Sequence, residues 1–312
     1  VEWDRSDQCT KYLDHFGEVF HQSRMLHEST GAIHSTITVD FDDDEFNSFS
    51  DEYRHLSELL LLDSHHQARL GNPDIALANL RAVYSMIHAG RFEAEYNGVM
   101  ALQRAHRLAS TTAIRLASQC NWSDRDLSAL QAAIARPDFR RYTQRSYKGD
   151  VGVILSALTL DGTGVETRLI QDNRIMLAEQ LLPIIQGFDQ PWPAVFDAQD
   201  GYYECLNELN NDPISKKWYI PFLACAPSTG HQFRITANAV TAQQAAVIAI
   251  AFQRQKQISK VMPASIEGLN SDFLPESPSR SDPFTGQPLG TITRNIGVVV
   301  YGAGHNRKDD GG

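Results

Sequence analysis

Residues 51–90 read DEYRHLSELLLLDSHHQARLGNPDIALANLRAVYSMIHAG, and this stretch decides the fold class. Residues 51–70 form a Leu-rich helical run that stops at Gly71-Asn72-Pro73, where glycine frees φ and proline removes a backbone donor. The pattern resumes over 74–89, with Ala76, Leu80, Val83 and Ile87 at the spacing of one helical face, and Gly90 closes it. Two helices joined by so short a turn must cover each other's apolar faces, so the chain reads as helical hairpins.

Working outward, the same period recurs. Over 92–119, Val99, Leu102, His106, Ala109, Ala113 and Leu116 alternate by three and four, a seam against a neighbouring helix. Ser123-Asp124-Arg125-Asp126 resembles a capping box, with Leu127, Leu130 and Ile134 on the inner face of the helix it opens, and Pro137 interrupts. Residues 151–160 read as a buried helix or strand, Asp161-Gly162-Thr163-Gly164 as a turn, and 173–186 as helix again. Pro191-Trp192-Pro193, Tyr202-Tyr203 and Trp218-Tyr219 mark 187–230 as a Pro- and aromatic-rich loop region packed on the body. A helix of Ala, Val, Ile and Gln runs from about 231 to 260, after which the composition turns to Pro, Ser, Gly and Asp.

The expected architecture is mainly α: an irregular helical bundle or short helical-hairpin solenoid with a small C-terminal β-tail. The body is assigned to 1–230, with hairpins to about 160, and the long helix plus tail to 231–312. The hairpin around Gly71, through Ala68, Ala76, Ala78 and Tyr84, resembles one tetratricopeptide unit, but no second good copy follows to make an array.

Composition narrows the function. Hydrophobic residues at 42% and charged residues at 21% are ordinary for a globular chain. A net charge of −10 argues against nucleic acid as a main partner, since duplex binding needs clustered Lys and Arg. The most apolar run, 245–252, falls short of the ~20 residues a bilayer requires, so no membrane span is expected. A chain opening on Val1 rather than Met implies that a piece upstream has been removed, a signal peptide or membrane anchor among the candidates. Cys9, Cys120, Cys205 and Cys225 are scattered, with no Cys-x-x-Cys pair for zinc or haem, so buried free thiols are the first expectation. In an exported protein Cys205 and Cys225 would be candidates for a bridge.

Several groups carry potential chemistry. Glu18 with His21, and Glu52 with His55, are Glu-x-x-His pairs on expected helices. With Glu93, Glu95 or Glu179 as further carboxylates they would describe a ferritin-like di-iron site, the alternative reading. Exposed helix surface is the simpler account of both pairs. Residues 40–44, Asp-Phe-Asp-Asp-Asp, open like an EF-hand loop, but Glu45 replaces its glycine and Asp51 its last glutamate, so an acidic linker is expected. His65-His66 carries little, and His106 on an apolar seam is expected to be a hydrogen-bonded core histidine. There is no Gly-x-Ser-x-Gly, phosphate loop, dinucleotide fingerprint or His-Glu-x-x-His.

The tail is the most informative segment. Residues 282–288, Asp-Pro-Phe-Thr-Gly-Gln-Pro, form a turn cluster, and 298–301 a short β-branched strand. Asn306, Asp309 and Asp310 then place oxygen donors on a glycine-flanked loop, the hard ligands calcium takes. With Met262-Pro263-Ala264-Ser265 and the closing Tyr301-Gly302-Ala303-Gly304 run, these elements resemble the C-terminal part of type II secretion major pseudopilins. They resemble still more closely a class of anchored planctomycete-type bacterial proteins ending in Asp-Asp-Gly-Gly. The resemblance implies a calcium site in the last loop, at Asn306, Asp309 and Asp310. It also implies an extracytoplasmic location and a structural, non-catalytic role among protein partners or copies of itself. The chain departs from the pseudopilin pattern in having Gly302 where Ser is usual, His305-Asn306 near the usual Asp, and an internal helix before the tail. Filament formation is therefore not implied.

Overall fold

A computed structural model describes residues 6–25, 48–90, 96–157, 165–219, 223, 229–274, 280–294 and 297–308. It is mainly helical, with one small antiparallel hairpin in the described part of the tail.

Two short helices, α1 (Ser6–Asp14) and α2 (Gly17–Met25), lie against the hairpin of α3 (Ser48–Arg69) and α4 (Pro73–Ala89). The hairpin turn follows from its three residues. Gly71 takes φ +81°, which lets Asn72 N–H reach back to Gln67 O at 2.9 Å and Gly71 N–H to Ala68 O at 3.2 Å. These bonds satisfy the last carbonyls of α3, and Pro73 then opens α4 where no N–H is needed. Next come α5 (Tyr96–Gln119), α6 (Asp124–Ala135) and α7 (Phe139–Ala157). All six seam residues expected on α5 are buried. Ser123 Oγ accepts the Asp126 N–H at 3.2 Å, so the expected cap at the start of α6 is formed.

The remaining helices are α8 (Val165–Gly187), α9 (Trp192–Asn211), α10 (Pro213–Trp218) and α11 (Thr229–Ser259). The structure corrects the loop expected at 187–230: α9 and α10 occupy most of its described part. Each starts with a proline at its first turn, after Pro191 or Asp212 in extended conformation. Trp192, Val195, Phe196, Gln199 and Tyr202 then repeat by three and four and are buried. The prolines were helix starts rather than helix breakers.

The long α11 packs on α5, α6, α7 and α9. Phe233, Ala237, Ala246 and Ile250 on it are fully buried in the same apolar cluster as Leu80, Leu116, Leu127 and Ile184. Within His231–Ser259 the most apolar window of 18 residues has mean hydropathy 1.4, enough by length and composition to cross a membrane. That corrects the expectation of no such span, which weighed only the short run at 245–252. Two-thirds of the most apolar window, 67%, is covered by the rest of the protein, as for a core helix.

After α11 the chain folds back. Single 3-10 turns at Ile266–Gly268 and Ser271–Phe273 lead to the hairpin of β1 (Gly290–Arg294) and β2 (Gly297–Tyr301), paired from Gly290 with Tyr301 to Arg294 with Gly297. Leu269, Leu274 and Leu289 bury against Ile248, Ala251 and Phe252 of α11. The Tyr301 ring lies over Gly290, where an added Cβ would sit 2.4 Å from ring carbon Cζ. Only glycine admits the aromatic there.

Candidate functional site

The residues that attach the tail to the body also shape a cleft. Asp282 is 2% exposed, and its carboxylate accepts the N–H of Phe284 at 2.9 Å and that of Ala303 at 2.7 Å. The backbone around it closes on itself: Asp282 N–H donates to Gln287 O at 2.7 Å and Gly286 N–H to Asp282 O at 2.8 Å, with Gly286 at φ +72°. The turn expected at 282–288 is thus a compact loop held from inside by its first residue. It presents Phe284 to the body, where the ring stacks on Phe196 of α9 at 5.3 Å. Gly302 belongs to the same joint. A Cβ there would meet Thr241 Cγ2 at 2.9 Å and Asp282 Cγ at 3.3 Å, so there is no room for the serine of the pseudopilin pattern.

A third attachment comes from Arg307. Its guanidinium lies over the Phe196 ring at 5.4 Å and pairs with Asp197 at 3.0 Å and Asp200 at 3.5 Å, one turn apart on α9. The last described turn, 304–307, uses Gly304 at φ +76° and Arg307 at φ 55°. Asn306 Oδ1 accepts the Lys308 N–H at 3.1 Å, so this expected calcium ligand shapes its own loop. Asp309 and Asp310 lie outside the described residues.

Between this joint and the body lies a cleft of about 700 Å³. Its walls come from the α6–α7 corner (Arg136, Pro137), the α8–α9 corner (Pro191, Pro193), α11 (Gln243, Gln244) and the tail (Pro283). Gln243 braces the first corner, its amide donating to Ile134 O at 2.8 Å and Pro137 O at 2.9 Å. Asp138 caps α7, accepting the Arg141 N–H at 3.1 Å and facing the Arg141 guanidinium at 3.3 Å. Arg140 crosses the cleft wall, donating from Nη2 to Gly187 O at 3.1 Å with its guanidinium over Trp192 at 5.3 Å. Burial pulls its pKa down from the usual arginine value, opposed by Asp138 and Asp189. Two buried atoms of the lining lack a hydrogen-bond partner: Arg140 Nε and Gln244 Oε1. The arrangement offers apolar ring surfaces and a few fixed polar groups, the makeup of a binding cleft.

The other candidate residues are not brought together. Glu18, His21, Glu52, His55 and Glu179 are exposed, and Glu93 and Glu95 lie outside the described residues. Among the described residues no three His, Cys, Asp or Glu side chains cluster for a metal. The EF-hand-like run at 40–44 also lies outside them. His66 is buried with Nε2 3.1 Å from Thr10 Oγ1. His106 is a core histidine. Its Nε2–H donates to Ile134 O at 3.0 Å, and Nδ1 stands 3.3 Å from Ser110 Oγ. The ring lies edge-on between Tyr84 and Phe139. Burial pushes its pKa down to about 4, only partly offset by the Ile134 carbonyl, so it is neutral. Cys205 is a free, half-buried thiol, in line with the first expectation of free thiols, and burial raises its pKa; Cys225, its candidate bridge partner, lies outside the described residues. Sequence reasoning missed the cleft, although Pro137 was read as a helix interruption, Pro191 and Pro193 as loop, and Pro283 as turn. Corners are where helices leave gaps, and that is the signal that could have found it.

No protein-family model matches the chain, and neither a curated protein nor a solved structure does.

Proposed function

We propose that this chain is a non-catalytic structural or interaction protein of the bacterial cell envelope or surface, steadied by calcium at its last loop. Asn306, Asp309 and Asp310 supply the calcium ligands, with backbone carbonyls of 301–305 completing the shell. The observation that supports the reading best is the triple attachment of the tail through Asp282, Phe284 and Arg307. It makes tail and body two walls of one cleft. A tail built to be held against a scaffold suits a role in assembly. The Asp282 carboxylate is engaged in holding the backbone of Phe284 and Ala303.

Cell fractionation tests the reading. Cells expressing the complete gene are separated into cytosol, periplasm and envelope, and intact cells are treated with external protease. The protein is expected outside the cytoplasm. Recovery in the cytosol, protected from protease until lysis, overturns the proposal.

A further inference from the structure

We propose that the face shared by α3 and α5 docks on an anionic bilayer surface, with Arg69, Arg107 and Arg115 meeting lipid headgroups and Leu62, Leu70 and Ile114 resting at the interface. The inference rests on the envelope reading for its choice of partner and assigns the contact surface.

Over 96–119, α5 carries Arg104, Arg107 and Arg115 and no Asp or Glu. These arginines, with Thr111, Ile114 and Ser118, recur by three and four and are all exposed. α3 lies alongside. Arg104 pairs with Glu58 at 3.3 Å, and further along Arg115 stands close enough to His65 to act on its charge. The two helices therefore run in the same direction and expose one joint face, to which α3 adds Leu62, His65 and Arg69, with Leu70 beyond its end. Leu62 and Ile114 are each 37% exposed and Leu70 56%, so apolar side chains reach water among the cations.

The face is positive in a chain of net charge −10. Arg69, Arg107 and Arg115 make no ion pair among the described residues, whereas Arg104 is matched by Glu58. Asp63 of α3 is buried against Arg24 and Asn79, and Asp51 and Glu52 belong to the first turns of that helix, roughly 25 Å from Arg69. α1, which meets α3 where Thr10 reaches His66, brings exposed Lys11 and Asp14, which offset each other. Burial lowers the pKa of His65, and Arg115 and Arg69 lower it further, as cations without counter-charges do to an imidazole beside them.

The spacing selects a surface over a discrete anion. Arg107 and Arg115 are about 12 Å apart along α5, and the cations follow the helices instead of converging on one point. A single phosphate or carboxylate cannot meet them together. An acidic protein would need acids placed to match, whereas lipid headgroups diffuse to wherever the guanidiniums stand. The interleaved Leu and Ile suit the headgroup boundary, where arginine stems share the apolar side and guanidiniums keep the wet one. Clustered cations are drawn there by the negative surface potential.

The test is co-sedimentation of the full chain with vesicles of phosphatidylcholine, alone or mixed equally with phosphatidylglycerol. Chelator is present so that calcium cannot bridge acidic protein to lipid. Binding to the mixed vesicles is expected at ~0.1 M salt and its loss at ~1 M, with little binding to phosphatidylcholine alone. Arg107→Gln with Arg115→Gln should weaken binding by about tenfold or more, since each cation near the surface is worth roughly fivefold. Ile114→Gln should weaken it severalfold. Both arginines are exposed and outside any ion pair, so the melting temperature of the double variant should stay at the parent value. Arg168→Gln with Arg174→Gln makes the same change in net charge at exposed positions of α8, which packs on α7 and α9, and should bind like the parent. No binding to mixed vesicles, equal binding to both kinds, parent-like binding of the α5 variant, or an equal loss in the α8 variant would each overturn the proposal. Capture on immobilised poly-glutamate without vesicle binding would also overturn it, and would assign the face to an acidic protein. Vesicle failure with extracytoplasmic fractionation intact removes this assignment alone, and cytosolic recovery beside intact vesicle binding removes the envelope reading alone.

Discussion

Asp282 accepts the backbone N–H of Ala303 at 2.7 Å across 21 residues of chain, tying the turn before the hairpin to the strand end after it. The same carboxylate caps its own turn through Phe284 N–H, so one side chain sets both ends of the tail.

Asp282→Ala is expected to leave two N–H groups unpaired in a buried joint, at a cost of about 2 kcal/mol or more to the docked tail. Limited proteolysis should cut between 275 and 308 much faster than in the parent, with far-UV helix content unchanged. Asp282→Asn should be intermediate. Parent-like tail resistance in the alanine variant would contradict the assignment.

Gly290→Ala should force Tyr301 off the hairpin, since a Cβ there falls 2.4 Å from Cζ of its ring. A loss of about 1–3 kcal/mol is expected. Pairing it with Tyr301→Ala should recover part of that loss, and a double-mutant cycle with no coupling would rule out the contact.

Asp63 is buried beneath Arg24, which donates at 2.9 Å, while Asn79 and Gln67 donate at 2.7 and 3.0 Å. Asp63→Ala strands the Arg24 charge and two amides, so a loss of about 3–5 kcal/mol in urea denaturation is expected. A loss under about 1 kcal/mol would show that α2 is not held this way.

Stability should fall with acid through His106. Its pKa is about 4 folded against 6.5 for the free side chain, so between those values the unfolded chain binds the extra proton. Stability therefore rises with pH across that window and is complete above it, by roughly 3 kcal/mol in all. Asp150 acts oppositely. Burial raises its carboxyl to about 6, against a smaller opposing hydrogen bond with Gln232, so its share is present at low pH and lost as pH climbs from 3.8 to 6. Comparing melting curves of the parent and His106→Asn at pH 4–7 isolates the histidine. Parallel curves would mean that His106 titrates normally.

Calcium at the tail should stabilise it. At ~1 mM free calcium and a Kd of ~10⁻⁴ M, linkage gives about 1.4 kcal/mol. Chelation should lower the melting temperature by a few degrees or, if the tail opens separately, expose it to protease. Asp309→Ala with Asp310→Ala should abolish the response while leaving helix content intact. Calorimetric titration showing no heat, with no change in tail proteolysis, would sink the calcium site.

The helices were legible because their signals are local. Gly71-Asn72-Pro73, the Ser123 cap and the α5 seam each act within a few residues, through φ freedom, a missing donor or a 3.6-residue period. The region around Pro191 misled because proline marks both helix ends and helix starts, and only the buried stripe from Trp192 to Tyr202 tells them apart. The sequence by itself determined that the chain is mainly α, where the early hairpin turns, and that a glycine- and proline-rich tail with a short strand follows α11. Tertiary structure alone decided where that tail goes. Asp282 meets Ala303, Arg307 meets Asp197 and Phe196, and Arg140 and Gln244 come to line one cleft from α7 and α11. Those pairings depend on packing between residues about 20 to over 100 positions apart, and no local propensity encodes a distance of that kind.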